Sequence, residues 1–145
     1  MRSTSADLLM SFVLDSSITL AWIYADETTD AVMRAFDLLR QEGALVPGLW
    51  RLEVANVLQM GVRRNRHDEA FRDAALADLT LLPIQVDPET DMRAWGATLE
   101  LAERYRLTVY DAAYLELAAR RNLPLATLDE DLRHAATAAK VKLLG

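Results

Sequence analysis

Short apolar segments alternate with longer helical segments along this sequence, and this alternation constrains the fold more than any other feature. The expected strands are SFVLD (11–15), ALVP, PIQVD, PLAT and VKLL. Short strands that alternate with longer helices are typical of an α/β domain with a mostly parallel sheet. We therefore expect a short sheet that is flanked by helices on both faces.

The helical segments carry start and stop signals of their own. Gly43 closes TTDAVMRAFDLLRQEG, as glycine commonly does after the last turn of a helix. Asp87-Pro88 predicts the cap and the first turn of one helix over PETDMRAWGATLELAERYR. TVYDAAYLELAARR and DEDLRHAATAAK predict two further helices, which PLAT separates.

The length of 145 residues fits a single domain, which we place at 11–145. Residues 1–10 are expected to form a disordered N-terminal extension. The absence of cysteine excludes disulfides and thiolate metal sites, and it suits a reducing cytoplasm. No segment approaches the roughly 18 to 20 apolar residues of a membrane span. We expect a cytoplasmic protein that has no membrane partner.

The charge balance argues against a generic nucleic-acid coat, because the net charge is −6 and the pI is near 4.9. A concentrated acidic site, however, repels phosphate only until a divalent cation fills it. The basic residues could be solvated helix ends near the negative dipole pole, or contacts for an RNA backbone. They cluster at Arg63, Arg64, Arg66, Arg104, Arg106, Arg120 and Arg121.

Two acids follow predicted strands. Asp15 ends the first strand, and Asp129 lies two residues past PLAT. In parallel sheets, binding sites form beyond the carboxyl ends of the strands, so both acids point to one location. Asp15 could instead cap the next helix, although Ser16 and Ser17 could cap it equally well.

Glu53 lies on a predicted helix beside an apolar stripe. A carboxylate in that position is costly to desolvate unless something compensates it. Asn56, one turn later, could hydrogen-bond either this carboxylate or a ligand. Alternatively, Glu53 extends to water at the edge of the helix. The stripe consists of Trp50, Val54, Val57 and Gly61.

Asp111 and Asp129 each have a capping alternative. Asp111 lies three residues after Thr108, which matches a capping box, but it shares a helix face with apolar side chains and so points toward the core. Thr127 and Glu130 would form a second capping box, which leaves Asp129 free for another role. Glu130 and Asp131 are expected to face solvent in the first helical turn.

Carboxylates that converge without histidine, cysteine or catalytic lysine nearby suit a hard cation such as Mg²⁺ or Mn²⁺ rather than zinc. Such acids would repel one another without a cation. A metal held by few protein ligands in turn predicts phosphate chemistry.

At these residues the sequence resembles a PIN-domain ribonuclease of the VapC type, the toxin of a bacterial toxin–antitoxin pair. The motifs are FVLDSS with Asp15, LWRLEVANVL with Glu53, VYDAAYLELA with Asp111, and LATLDEDL with Thr127 and Asp129. They stand in the family's order and spacing, and the resemblance runs from about residue 11 to residue 143.

The resemblance implies that Asp15, Glu53, Asp111 and Asp129 hold one or two Mg²⁺ or Mn²⁺ ions. Ser16 and Thr127 match supporting hydroxyl positions, and Asn56 matches a common polar neighbour. Asp131 is an alternative to Asp129 as the outer ligand.

The expected function is a metal-dependent endoribonuclease that cuts RNA, acts as a toxin and is blocked by a small antitoxin protein. A homodimer is also expected, through an apolar face of the helices from 16 to 42. Two alternatives are a PIN-like module that binds RNA or protein without cutting, and a magnesium-binding receiver-type signalling domain. The residues of the expected dimer face are Trp22, Ile23, Val32, Phe36 and Leu39.

Overall fold

A computed structural model of the chain describes residues 12–144. Within this range four strands form one parallel sheet in the order β3-β2-β1-β4, so the predicted α/β fold is confirmed. The predicted last strand is reduced to a single parallel bridge between Leu125 and Leu143. The expected extension, 1–10, lies outside the described residues. The strands are β1 (Val13–Leu14), β2 (Ala44–Val46), β3 (Ile84–Val86) and β4 (Leu125–Ala126).

Eight α-helices flank this sheet in the described part of the chain. A short 3₁₀ turn, Ala25–Glu27, joins the first two of them. None of these helices is long and apolar enough to cross a membrane. The helices are α1 (Ser16–Ile23), α2 (Asp30–Glu42), α3 (Trp50–Arg63), α4 (Glu69–Thr80), α5 (Thr90–Arg93), α6 (Ala97–Tyr105), α7 (Val109–Arg121) and α8 (Glu130–Ala138).

The helix predicted over PETDMRAWGATLELAERYR is wrong as one element, because the chain breaks between α5 and α6. Gly96 lies at the break with φ −111° and ψ −105°, far from helical values. Glycine disfavours the helical state because it loses the most backbone freedom there. The other glycine signal is confirmed, since Gly43 ends α2 with a φ of 78°.

The core lies between the sheet and the helices that cover it, and α7 is its most buried helix. Every residue of α7 from Ala112 to Ala118 is buried, including the full Tyr114 side chain. Phe12, Leu14 and Leu45 contribute fully or almost fully buried side chains from the sheet region. Because α7 is packed on all sides over these two turns, its N-terminal end is held firmly against the sheet.

Part of the apolar face expected to form a dimer packs into the chain's own core. Val32 and Leu39 have no exposed surface. Trp22 donates from Nε1 to the carbonyl of Val32 and packs edge-on against Phe36. Trp22, Ile23 and Phe36 nevertheless remain partly exposed, so the chain's own core covers this face only in part. The homodimer stays a prediction.

Candidate active site

Four acidic side chains lie at the starts of helices around one edge of the sheet. Asp15 follows β1 directly, and Asp129 follows β4, which is paired with β1. Glu53 and Asp111 lie in the first turns of α3 and α7. In a parallel sheet, a helix that follows a strand begins at the carboxyl edge. The positive ends of helix dipoles also favour negative charge there.

Asp15 is buried, and two hydroxyl groups fix its carboxylate. Oδ2 accepts a 2.6 Å hydrogen bond from Ser17 Oγ and a 2.7 Å bond from Thr127 Oγ1. Asp15 lies at the N-cap position of α1 but makes no regular capping hydrogen bond, so capping alone does not account for this carboxylate. Burial raises the pKa of Asp15, and the bonds from Ser17 and Thr127 offset part of that rise.

Glu53 is half-buried and is held by the core. Tyr114 Oη donates a 2.6 Å hydrogen bond to Glu53 Oε1, so the carboxylate does not simply extend to water. Burial raises the pKa of Glu53, and the charge of Asp15 raises it further, while hydrogen bonds from Tyr114 and Ser16 lower it. The apolar stripe beside Glu53 differs from the prediction at one position, since Val57 is exposed and Leu58 is fully buried.

Asp111 is the acid whose pKa is raised by the charges of all three others. Burial and the negative charges of Asp129, Asp15 and Glu53, in that order, raise the pKa of Asp111 to about 6. The backbone N–H of Asp111 donates to Thr108 Oγ1 at 3.0 Å, so Thr108 caps α7 as predicted. Asp111 therefore takes part in the cap through its backbone, while its carboxylate interacts with the other acids.

The prediction that Asp129 is free of capping is wrong. Helix α8 begins at Glu130, and Asp129 Oδ1 caps it by accepting a 2.8 Å hydrogen bond from the N–H of Leu132. The N–H of Asp129 in turn donates to Thr127 Oγ1 at 3.1 Å. Asp129 still acts on Asp111 by charge, whereas the exposed Asp131 does not contribute to the shift.

Two supporting residues were missed by sequence reasoning. Ser17, rather than Ser16, bonds Asp15, and Ser17 Oγ also accepts a 2.9 Å bond from the N–H of Leu128. Tyr114 lies on the helix face of Asp111 that was expected to be apolar, and it was not predicted as a site residue. The spacing of two residues from Asp15 to Ser17, which is common in local hydroxyl turns, could have indicated the first. Asn56 is exposed on α3, and its predicted role is untested.

The donor set fits a hard divalent cation, because it offers carboxylate oxygens, which Mg²⁺ and Mn²⁺ prefer. Within residues 12–144, however, no three acidic or histidine side chains already stand close enough together to hold a metal ion. Repulsion among the carboxylates favours such separation when no cation is bound. Binding a metal would therefore draw the carboxylate side chains toward one another.

Two of the arginines expected at an RNA backbone are used within the chain. Arg66 pairs with Asp26 and Glu27 at 3.0 and 2.9 Å. Arg120 is largely buried and pairs with the buried Asp87 at 2.7 Å. The Arg120 guanidinium is thus bound to a buried carboxylate within the fold, whereas Arg66 forms surface ion pairs and remains partly exposed, so its contact with RNA stays a prediction.

The remaining basic positions differ in their distance from the acids. Arg63 and Arg64 are at the far end of α3, about 15 Å along the helix from Glu53. Arg106 is exposed just before α7 and precedes Asp111 by five residues. Arg106 is thus the better placed of these for a ligand at the acidic site.

The model of the PIN domain family matches residues 12–138. The chain belongs to the PIN domain family. PIN domains are generally metal-dependent nucleases, which supports a nuclease function and excludes the receiver-type alternative. The structure of this chain is also similar to the crystal structure of PAE2754 from Pyrobaculum aerophilum, with a TM-score of 0.65 and 26% sequence identity. That similarity covers 88% of this chain and 80% of the other. No curated protein shows significant similarity.

Proposed function

We propose that this PIN domain is a Mg²⁺- or Mn²⁺-dependent endoribonuclease whose site consists of Asp15, Glu53, Asp111 and Asp129. The observation that carries the proposal is the placement of four carboxylates at helix starts around one edge of the sheet, where burial and the other three acids raise the pKa of Asp111 to about 6. Perturbed carboxylates of this kind are concentrated at functional sites. A cation among them would relieve the repulsion that raises this pKa.

Each acid has a separate means of support. Hydroxyls of Ser17 and Thr127 hold the Asp15 carboxylate, and Tyr114 holds that of Glu53. Bound divalent ions supply a deprotonated water and stabilise the leaving oxygen when a phosphodiester is hydrolysed. The chain's own contribution is to present the carboxylates from helix starts that a buried core keeps rigid. Ser16 and Asn56 would assist Glu53.

RNA is the proposed substrate, and basic side chains near the site would contact its phosphates without reading sequence. Arg106 fits this role because it is exposed directly before the helix that carries Asp111. Specificity would then come from the shape of a loop or stem in the target RNA.

We further propose the role of a VapC-type toxin that a small antitoxin controls. An unguarded ribonuclease would harm its own cell. An arginine of the antitoxin could pair bidentately with the four carboxylates and displace the metal. An apolar groove of about 260 Å³ could receive a helix of the antitoxin in the helix-in-groove mode. Its lining includes Trp50, Val54, Leu76, Leu79 and Ile84.

A module that binds RNA or protein without cutting is the second candidate. A chain that binds without cutting needs no metal arrangement, and none is ready-made among the described acids. The two candidates differ in one assay, because only the nuclease shortens a labelled RNA in the presence of Mg²⁺.

The test is cleavage of end-labelled RNA by the purified chain in Mg²⁺, in Mn²⁺ and in chelator. We expect cleavage with either metal and none in chelator. Asp15→Asn and Asp111→Asn should each abolish cleavage, while the matched control Asp131→Asn, an exposed acid, should cleave normally. Equal cleavage in chelator and in Mg²⁺ would overturn the metal mechanism.

The toxin role has its own test. Expression of the chain alone should arrest bacterial growth, and co-expression of an adjacent small gene should restore it. Normal growth with an intact acid set would refute the toxin role and leave the nuclease activity standing.

A further inference from the structure

A groove of about 380 Å³ lies beside the acidic site, between the starts of α3 and α7 and the helices α5 and α6. Its walls are mainly apolar, which suits a flat ring better than a charged group. Its lining includes Leu49, Leu52, Thr98, Val109 and Tyr110.

The groove and the acids are adjacent along two helices. Leu52 immediately precedes Glu53, and Tyr110 immediately precedes Asp111. Consecutive residues of a helix are about 100° apart around its axis, so the two pairs present the groove and the acids on adjoining faces. A polymer with one linkage at the acids would therefore have a neighbouring unit at the groove.

The groove contains a buried polar group that the protein leaves unused. Thr98 is only 2% exposed, and its Oγ1 has no hydrogen-bond partner in the described part of the chain. Buried hydroxyls are normally paired, because an unpaired one loses its bonds to water without replacement. A ligand that brings a donor or an acceptor into the groove would satisfy it.

An aromatic ring lies at the mouth of the groove. Tyr110 is 66% exposed, although it stands next to a residue of the site. Exposed aromatic rings beside a nucleic-acid path act as platforms on which unpaired bases stack.

We propose that this groove binds one unpaired nucleobase of the RNA that lies at the acidic site. The base stacks on Tyr110, contacts Leu52 and Val109, and exchanges a hydrogen bond with Thr98 Oγ1. The inference rests on the proposed ribonuclease function and extends it to substrate positioning. A base is favoured over an apolar side chain of a protein partner, because a base brings hydrogen-bonding groups to the unpaired Thr98 Oγ1 and an apolar side chain does not; a protein contact is the other outcome of the test.

Tyr110 variants test the stacking contact. With single-stranded RNA oligonucleotides of mixed sequence as the probe, Tyr110→Ala should raise KM about 10-fold to 100-fold, with little change in kcat. Tyr110→Phe keeps the ring and should behave as the wild type. Leu81→Ala, which removes an exposed apolar side chain outside the groove, is the matched control and should leave KM unchanged.

Abasic substitutions in the RNA test the same contact from the ligand's side. Removing the base at one position next to the cut should weaken RNA binding by the wild type. The loss should equal the loss that Tyr110→Ala causes with the intact RNA. The same abasic RNA should have little further effect on Tyr110→Ala, since both changes remove one interaction.

Thr98→Val tests whether the Thr98 hydroxyl serves base recognition rather than folding. Because the hydroxyl has no partner in the protein, the melting temperature should stay the same or rise, while discrimination among the four bases should weaken. Thr19→Val is the matched control, since Thr19 Oγ1 accepts a 3.0 Å bond from Trp50 Nε1 and its loss should lower the melting temperature.

Binding is measured by fluorescence anisotropy alongside cleavage, so that the groove is tested even if the wild type does not cut RNA. Weaker binding by Tyr110→Ala than by Tyr110→Phe supports the inference. An unchanged Kd and KM for Tyr110→Ala overturn it. A changed oligomeric state of Tyr110→Ala with unchanged RNA binding also overturns it, because the groove would then be a protein contact.

Discussion

Tyr114 Oη donates a 2.6 Å hydrogen bond to Glu53 Oε1 and so links the buried helix α7 to the first turn of α3. Burial and the charges of Asp15 and Glu53 raise the pKa of Tyr114 far above its ordinary value. The phenol therefore stays protonated and remains a donor at every physiological pH. The orientation of Glu53 is thus set by a core residue rather than by solvent.

Tyr114→Phe should lower stability and weaken metal binding together. It removes a hydrogen bond to a charged group, which contributes about 1.5 kcal/mol to the free energy of unfolding. It also leaves Glu53 without a bond that lowers its pKa. Urea unfolding and Mg²⁺ titration measure the two effects, with Tyr105→Phe as the control. Unchanged metal affinity would show that the bond serves only the fold.

Asp111 should make the metal-free protein less stable as pH rises. Its pKa is about 6 in the folded chain against an ordinary value of 3.8. Between these values the folded state binds more protons than the unfolded state, so the free energy of unfolding falls as pH increases. Above about pH 6 the stabilisation that protonated Asp111 provides is lost.

Asp111→Asn should remove that pH dependence and raise the free energy of unfolding at neutral pH by ~1 kcal/mol, a figure reduced for the solvent screening of a half-exposed group. Thermal unfolding in chelator at acid and neutral pH measures it. Asp131→Asn should show no such gain. A lower melting temperature for Asp111→Asn at neutral pH would contradict the charge repulsion among the acids.

A substitution that keeps the N-terminal cap of α8 distinguishes Asp129 from Asp131 as the fourth acid of the site. Asparagine caps helices as well as aspartate does, so Asp129→Asn should keep α8 stable but lose cleavage with the charge. Asp129→Ala should in addition lose about 1 kcal/mol of stability. Asp131→Asn should keep both properties. If Asp131→Asn is the inactive variant, Asp131 is the fourth acid.

Arg120 should be essential for folding rather than for RNA. Arg120 bonds both Asp87 and Glu116, which are buried. Burial acts to raise the pKa of Asp87, but the hydrogen bonds and charge of Arg120 outweigh it and hold the pKa below its ordinary value.

Arg120→Met would leave two buried carboxylates unpaired, which costs about 3 to 5 kcal/mol. Arg104→Met, on an exposed helix end, should change stability little. Chemical denaturation compares the two variants. Near wild-type stability for Arg120→Met would return this arginine to the candidates for RNA contact.

The sequence predicts the parallel sheet, the start of α7 at Thr108 and the proximity of Asp15 to the end of β4, because these follow from local patterns and sheet geometry. It does not separate Asp15 from Asp87, since both follow a strand. Only the tertiary partner distinguishes them: Asp15 meets Thr127, whereas Asp87 meets Arg120, 33 residues later in the chain.

Two further features depend on tertiary partners in the same way. An amphipathic face such as that of Val32 and Leu39 looks identical whether it packs on its own sheet or on a second copy. That Ser17 bonds Asp15 while Ser16 bonds Glu53 depends on the direction in which α1 leaves Asp15, which a sequence pattern does not record.

Binding of Mn²⁺, followed by the loss of the free-ion signal in electron paramagnetic resonance, tests the central claim that the four acids form one metal site. The wild type should bind Mn²⁺, Mg²⁺ should compete with it, Asp15→Asn and Asp111→Asn should lose the binding, and Asp131→Asn should retain it. Failure of the wild type to bind Mn²⁺, or equal binding by Asp111→Asn, would contradict the account.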